Sequence, residues 1–285
     1  MLYDKFYTKP AVAGDCFKTL MRLVSVGSED VFLEPSAGSG VFVELIKSSG
    51  FQCTAYDIAP EGAGIEQRNV LKMTTFERSD YITLGNPPFG GKGALAAQFI
   101  NKLLPVSKCV AFILPLTFIR YSAQSKIIRT AKLIYNEALP EDSFTCNGEE
   151  FKLRAVFQIW TTHKMPLTDI RLRCNPPTTH PDFALYRHNA TAGTRKYLDF
   201  DWQLAVYAQG HKEYSRIFTR DDYAFIKDRI FNSSDQFYFF TAKTPQALAR
   251  LKQLDWEALS RKNAIRALGF SKWEIVEEYK GMFYY

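Results

Sequence analysis

Histidine and cysteine are scarce and scattered in this sequence of 285 residues. There are 4 histidines and 5 cysteines. Cys16, Cys53, Cys109, Cys146 and Cys174 form no C-x-x-C pair, and their number is odd. The spacing offers neither a zinc site nor a disulfide framework, so no metal is expected and a reducing cytoplasm is the expected location. Long apolar runs are also missing, which argues against a membrane span, and the opening residues "MLYDKFYTKP" have no signal-peptide core. Internal repeats, low-complexity tracts and polybasic tails are absent too. Charge of one sign is only slightly in excess, at +6 with a pI near 8.9. That balance permits a polyanionic partner without demanding one.

What is present suits a globular protein with a sizeable core, at 46% hydrophobic and 23% charged residues. Residues 10–24 read as an amphipathic helix, with Pro10 in the first turn and Val12, Cys16, Leu20 and Leu23 at helical spacing. "VFL" at 31–33 is a short buried strand, followed by "EPSAGSG" and a helix that Gly50 closes. "FQCTAYDIAP" and "YITLG" are further strands, "ALAAQFINKLL" is a helix, and "CVAFILP", "KLIYNEAL" and "FKLRAVFQIW" are strands. Apolar strands alternating with helices predict a mainly parallel sheet with helices on both faces. The alternation fades near residue 165, into the proline-rich "MPLTDIRLRCNPPTTHPDF". From Thr244 helical signals return in "WEALSRKNAIRALG" and "SKWEIVEEY". The expected organisation is therefore a domain over 1–165 and a C-terminal extension over 166–285.

Two stretches carry chemistry. In "VFLEPSAGSGVF", Gly38 and Gly40 lie between a strand and a helix. A tight turn would explain them. So would a ligand, because glycines allow close backbone approach and a helix N-terminus favours a carboxylate or phosphate. Asp57 ends the next strand, where an acidic residue in Rossmann-like folds accepts hydrogen bonds from ribose hydroxyls. The third glycine of the dinucleotide fingerprint is missing, since Phe42 and Val43 follow, so a nicotinamide dinucleotide is disfavoured. The second stretch is "YITLGNPPFGG", where Asn86, Pro87 and Pro88 run into the aromatic Phe89.

Taken in order, "YTKP" at 7–10, "FLEPSAGSG", "YDIAP" and "LGNPPFG" resemble the gamma-type N6-adenine methyltransferases, over roughly residues 5–160. The resemblance implies a Rossmann-like class I methyltransferase fold with an antiparallel last strand. It also implies S-adenosylmethionine as cofactor and the exocyclic amine of adenine in nucleic acid as acceptor. DNA is the preferred polymer and RNA the alternative. A protein glutamine amide fits the signature less well, because Tyr is usual where Phe89 stands. A catalytically silent subunit that binds a protein partner through the C-terminal extension is the reading from another class.

The resemblance assigns roles by position. Asn86, Pro87, Pro88 and Phe89 form the catalytic signature, with Asn86 Oδ1 and the Pro87 carbonyl as acceptors for the amine's N–H groups and Phe89 as a stacking surface. Such an amine is a poor nucleophile because its lone pair is shared with the ring. Preorganised acceptors let the nitrogen pyramidalise, and prolines fix the backbone that carries them. Tyr7, Thr8, Pro10, Glu34, Pro35, Ala37, Gly38, Gly40, Asp57 and Ile58 fall on cofactor positions. Asn69 stands where the family usually has an Asp toward the cofactor's adenine. Phe144 is a candidate second stacking surface, or an ordinary loop aromatic. "CNPPTTHP" repeats Asn-Pro-Pro at 175–177, but Thr178 replaces the aromatic and no glycine loop stands in the right order upstream, so it reads as a turn. Arg120, Lys126, Arg129 and Lys132 are candidate phosphate contacts or a solvated face, as are His211, Lys212, Arg216 and Arg220. Trp202 and "QFYFF" at 236–240 read as core.

Overall fold

The computed structural model describes residues 6–263 and 268–284. It divides into two compact units, Met1–Asn175 and Pro176–Tyr285.

In the first unit a short strand β1 (Tyr7–Thr8) leads into α1 (Pro10–Leu23), then β2 (Val31–Glu34), α2 (Val41–Ser48), β3 (Gln52–Asp57) and β4 (Glu66–Gln67). The chain continues through β5 (Tyr81–Gly85), α3 (Ala94–Leu103), β6 (Ser107–Pro115), a single turn α4 (Tyr121–Gln124) and β7 (Lys132–Ala138). A hairpin of β8 (Phe144–Cys146) and β9 (Glu149–Phe151) precedes β10 (Ala155–Thr161). Seven of these strands form one sheet in the order β4-β3-β2-β5-β6-β10-β7. Neighbours from β4 to β6 run parallel, and β10 alone is reversed between β6 and β7. This is the Rossmann-like α/β arrangement expected, antiparallel last strand included.

The strands explain themselves. β2, β5 and β10 are buried at every position, so both faces of the sheet are covered and near-continuous apolar runs replace alternation. Ala13, Cys16, Phe17 and Leu20 of α1, with Phe42 and Ile46 of α2, pack in one cluster with Phe32, Ile82, Leu84, Ala111 and Ile159 of the sheet. Each fully buried Leu, Ile or Phe there contributes about 1.5–3 kcal/mol. The chain moves outward from β2 to β4 on one side and from β5 to β7 on the other. β2 and β5 therefore flank a topological switch point, beyond whose carboxyl ends open α/β sheets place their ligand crevice.

The boundary lies ten residues later than the sequence reading placed it, at Asn175. Arg171 is the reason. Its buried guanidinium donates to the carbonyls of Gln124, Ile127, Ile128 and Ala131 at 2.7–3.0 Å and lies over the Trp160 ring. Ile170 N also donates to Leu133 O, so the proline-rich stretch is held to the first unit as far as Arg173, which pairs with Asp169. The second Asn-Pro-Pro sits at the division itself, with Asn175 and Pro177 exposed and Pro176 half-buried, in chain that has neither regular structure nor a defined turn.

The second unit has its own sheet, which the fading alternation did not predict. β11 (Phe183–His188), β12 (Leu204–Gln209), β13 (Ile217–Phe218) and β14 (Gln236–Ala242) pair antiparallel in the order β11-β14-β12-β13. The helices are α5 (Tyr223–Asn232), α6 (Pro245–Gln253), α7 (Trp256–Lys262) and α8 (Lys272–Phe283). Trp202 and Phe237–Phe240 are buried in its core, as read from sequence. Thr244 caps α6 by accepting from Ala247 N, and a Ser271–Glu274 capping box starts α8. The helix expected to run to Gly269 is described only to Lys262. Residues 264–267 lie outside the described residues, and Gly269 bridges to Gln209 at the end of β12.

Candidate active site

Three parallel strands end side by side at the crevice, and each delivers one part of the predicted set. β2 ends in Glu34 and runs through Pro35 into the glycine loop. β3 ends in Asp57. β5 ends in Gly85 and releases the chain into Asn86–Phe89.

The loop's shape requires its glycines. Gly38 has φ +51° and Gly40 φ +92°, left-handed values that L side chains rarely adopt. Gly40 is the N-cap of α2, and Gly40 N donates to Ala37 O. Ala37 itself is buried with Val43 and Ala55 and supports the turn from below. Gly38 N donates to Asp57 Oδ2 at 2.8 Å and Ala59 N donates to Oδ1 at 2.7 Å. One backbone donor per oxygen fixes the carboxylate and leaves a lone pair on each for a ligand. Ile58, immediately beyond, is an apolar side chain that is 51% exposed.

Glu34 is buried, with Oε1 against Gly85 and Oε2 without a partner among the described residues. Burial, and after it the charge of Asp57, pushes its carboxyl well above the usual carboxylate range. A Cβ at position 85 would stand 2.9 Å from Oε1, which accounts for glycine there.

Asn86 is the best-defined polar group of the site. Its Nδ2 donates to Phe6 O at 3.4 Å and Thr8 Oγ1 at 3.2 Å. A carbonyl can only accept, so the NH2 end must face Phe6 and the oxygen must face the other way. That Oδ1 is buried and has no hydrogen-bond partner among the described residues. Ser36 Oγ donates to the Asn86 carbonyl at 3.4 Å, tying the loop after β2 to the chain after β5. Pro87 is buried, Pro88 half-buried, and Phe89 half-buried against the core cluster. Gly90, at φ +64°, then turns the chain back on Leu95 at the start of α3, where an added Cβ would meet Leu95 Cβ at 2.6 Å.

The structure brings Tyr7, Thr8, Glu34, Pro35, Gly38, Gly40, Asp57 and Asn86 to one neighbourhood. Tyr7 lies over Gly38, its ring 3.6 Å from where a Cβ would stand, and its hydroxyl donates to Glu61 at 2.7 Å. Pro10 is exposed and begins α1. Asn69 caps a short turn by accepting from Leu71 N at 3.1 Å, so one lone pair of its oxygen is already used. Phe144 corrects the sequence reading. It lies in β8 at 0% exposure within the core cluster and has no open face for a base to stack on. Lys126 and Arg129 are exposed and Arg120 and Lys132 half-buried, which fits a solvated face and phosphate contacts alike. Phe6, Ser36 and Glu61 were not anticipated. Their roles arise from contacts 50 to 80 residues apart in sequence, and no local pattern announces them.

Among the described residues no three His, Cys, Asp or Glu side chains are grouped to hold a metal, and no helix is long and apolar enough to cross a membrane.

No family model and no curated protein sequence matches the chain. Solved structures do. A protein described as an RNA methyltransferase of Pyrococcus horikoshii matches at TM-score 0.45 and 15% identity, covering 56% of this chain and 87% of that one. A class I S-adenosylmethionine-dependent methyltransferase of Listeria monocytogenes matches at 0.44 and 11%, covering 59% and 64%. TrmN of Thermus thermophilus matches at 0.39 and 13%, covering 53% and 48%. At these scores the likeness is partial. The fold rests on the strand order and sense themselves, which are those of a Rossmann-like class I methyltransferase.

Proposed function

We propose that this chain is an S-adenosylmethionine-dependent methyltransferase acting on the exocyclic N6 amine of adenine in nucleic acid, with DNA the preferred polymer. The observation that carries the proposal is the buried, unpartnered Oδ1 of Asn86, held at the carboxyl end of β5 beside a glycine loop. A buried acceptor left without a donor is expensive, on the order of 1–3 kcal/mol, and is expected where a ligand supplies the donor.

The residues present fit the cofactor. Gly38 and Gly40 put no side chain in the way of a ligand at the loop before α2, Asp57 keeps free lone pairs for hydroxyls, Ile58 offers an apolar surface, and the spare oxygen of Glu34 suits a cationic amine. When bound, S-adenosylmethionine supplies an electrophilic methyl group on a sulfonium. The chain's own contribution is to the acceptor. Asn86 Oδ1 takes one N–H of the amine and the Pro87 carbonyl takes the other, which draws the nitrogen toward tetrahedral geometry and frees its lone pair. Phe89 lies beside the ring that carries the amine. Positioning supplies most of the rate, and no covalent intermediate is required.

RNA is the second reading. The second unit is a compact fold of one four-stranded sheet, small for a reader of duplex sequence. Incubating the protein with labelled cofactor and separate DNA, RNA and protein pools, followed by mass spectrometry of the nucleosides, tests both. N6-methyladenine in DNA is expected. Label in RNA alone moves the assignment to RNA, and label only in protein overturns it.

A further inference from the structure

The short N-terminal strand β1 does two different jobs with adjacent residues. Successive side chains of a strand point to opposite faces. Tyr7 faces the glycine loop at Gly38, while Thr8, 5% exposed, turns its hydroxyl to Asn86. Pairing with β8 in the register Tyr7↔Thr145 and Thr8↔Phe144 fixes which residue faces which way, and Lys9 N to Ser143 O at 3.0 Å extends that hold. Family resemblance puts Thr8 with the cofactor. The contacts put it with the acceptor side.

We propose that Thr8 is a positioning residue for Asn86, holding the carboxamide so that Oδ1, and not the NH2 group, faces the substrate amine. An asparagine amide has nearly the same shape when rotated by half a turn, so sterics alone do not decide which end faces the substrate. Hydrogen bonds decide it. The Phe6 carbonyl can only accept and so selects the NH2 end of the amide, and Thr8 Oγ1 accepts the other N–H and holds that end in place. With both engaged, only the oxygen is left to face the crevice, consistent with its having no partner among the described residues. A rotated amide would set its oxygen against the Phe6 carbonyl and offer donors to an amine whose own N–H groups need acceptors. Thr8 therefore acts through Asn86 and makes its contribution to turnover, with little effect on cofactor binding.

This inference rests on the methyltransferase reading for its kinetic consequence, but not for the geometry. The test uses the full chain carrying Thr8→Val or Thr8→Ser, with an adenine-containing DNA oligonucleotide, or RNA where the pools select RNA. Thr8→Val keeps the shape and removes the acceptor. It is expected to lower kcat about tenfold, the effect of one hydrogen bond of about 1.4 kcal/mol, with cofactor affinity unchanged and activity largely restored by Thr8→Ser. Alongside, hydrogen exchange of the Asn86 side-chain amide is read by NMR. One Nδ2 proton is expected to exchange about tenfold faster in Thr8→Val and to recover in Thr8→Ser. Unchanged kcat, or a loss of cofactor affinity equal to the loss of kcat, overturns the proposal. A wild-type protein that methylates no pool refutes the functional reading instead, and the exchange measurement then decides the orientation alone. Unaltered exchange in Thr8→Val overturns it.

Discussion

Asn86 shows how much one carboxamide is asked to do. Its nitrogen end is satisfied within the protein and its oxygen end is not, so removing it takes away an acceptor without leaving a fixed donor pointed at the cofactor side. Asn86→Ala is expected to lower turnover by two orders of magnitude or more, while cofactor affinity in a direct titration stays within about twofold. Asp57→Ala, which releases Gly38 N and Ala59 N, is expected to give the opposite pattern of weakened cofactor binding. Reversal of the two patterns would undo the assignment of the site.

Glu34 carries a pH signature at the same scale. Its folded-state pKa is raised, so between the ordinary Glu value of about 4.3 and that higher value the folded chain binds more protons than the unfolded one. Stability tied to this group is therefore full below about pH 4.3 and is lost as pH rises through the folded value. Glu34→Gln keeps the shape and cannot ionise. Its melting temperature relative to wild type is expected to climb from pH 5 to pH 8, and a difference that stays constant or falls with pH would show that Glu34 is ionised in the fold.

At the scale of elements, the parallel strands were legible because burial on both faces turns them into unbroken apolar runs. "VFL", "YITLG" and "CVAFILP" need no partner information to be read. "FKLRAVFQIW" was legible only in part, because it reads as one strand and folds as two, with Lys152–Arg154 breaking β9 from β10. β1, β4 and β13 have two residues each, too few to show a period, and exist through their neighbours. The proposed site residues were picked out by the order of their motifs, and the structure places several of them at strand ends that the sheet aligns. What sequence did not show was the pairing across those ends, such as Asn86 with Thr8, and the burial of Phe144, which reads as a loop aromatic until β8 is seen. Arg171 belongs with these. A basic residue in a proline-rich stretch resembles solvated loop, yet it satisfies four carbonyls around α4 and β7. Arg171→Met is expected to destabilise the first unit by about 2–4 kcal/mol, because buried carbonyls lose a charged donor. Denaturant unfolding measures this, and a change below about 0.5 kcal/mol would mean that water replaces the guanidinium.

For the whole molecule, two compact units within one chain make a division of labour testable. The proposed cofactor residues and the proposed acceptor signature all lie in Met1–Asn175. The second unit buries Trp202 fully, with its indole N–H donating to Leu198 O and Arg220 over its ring. Trp202→Ala removes that packing and is expected to cost about 3–5 kcal/mol, most of the stability of a unit this small. The loss should fall on the second unit alone, so a calorimetric scan is expected to show one transition shifted down and the other unmoved. If the second unit recognises the nucleic acid, the variant should still bind cofactor with wild-type affinity and lose methyl transfer to polynucleotide at temperatures between the two transitions. Retained transfer after the second unit has melted would assign recognition to the first unit, and loss of cofactor binding together with transfer would show that the two cores do not unfold independently.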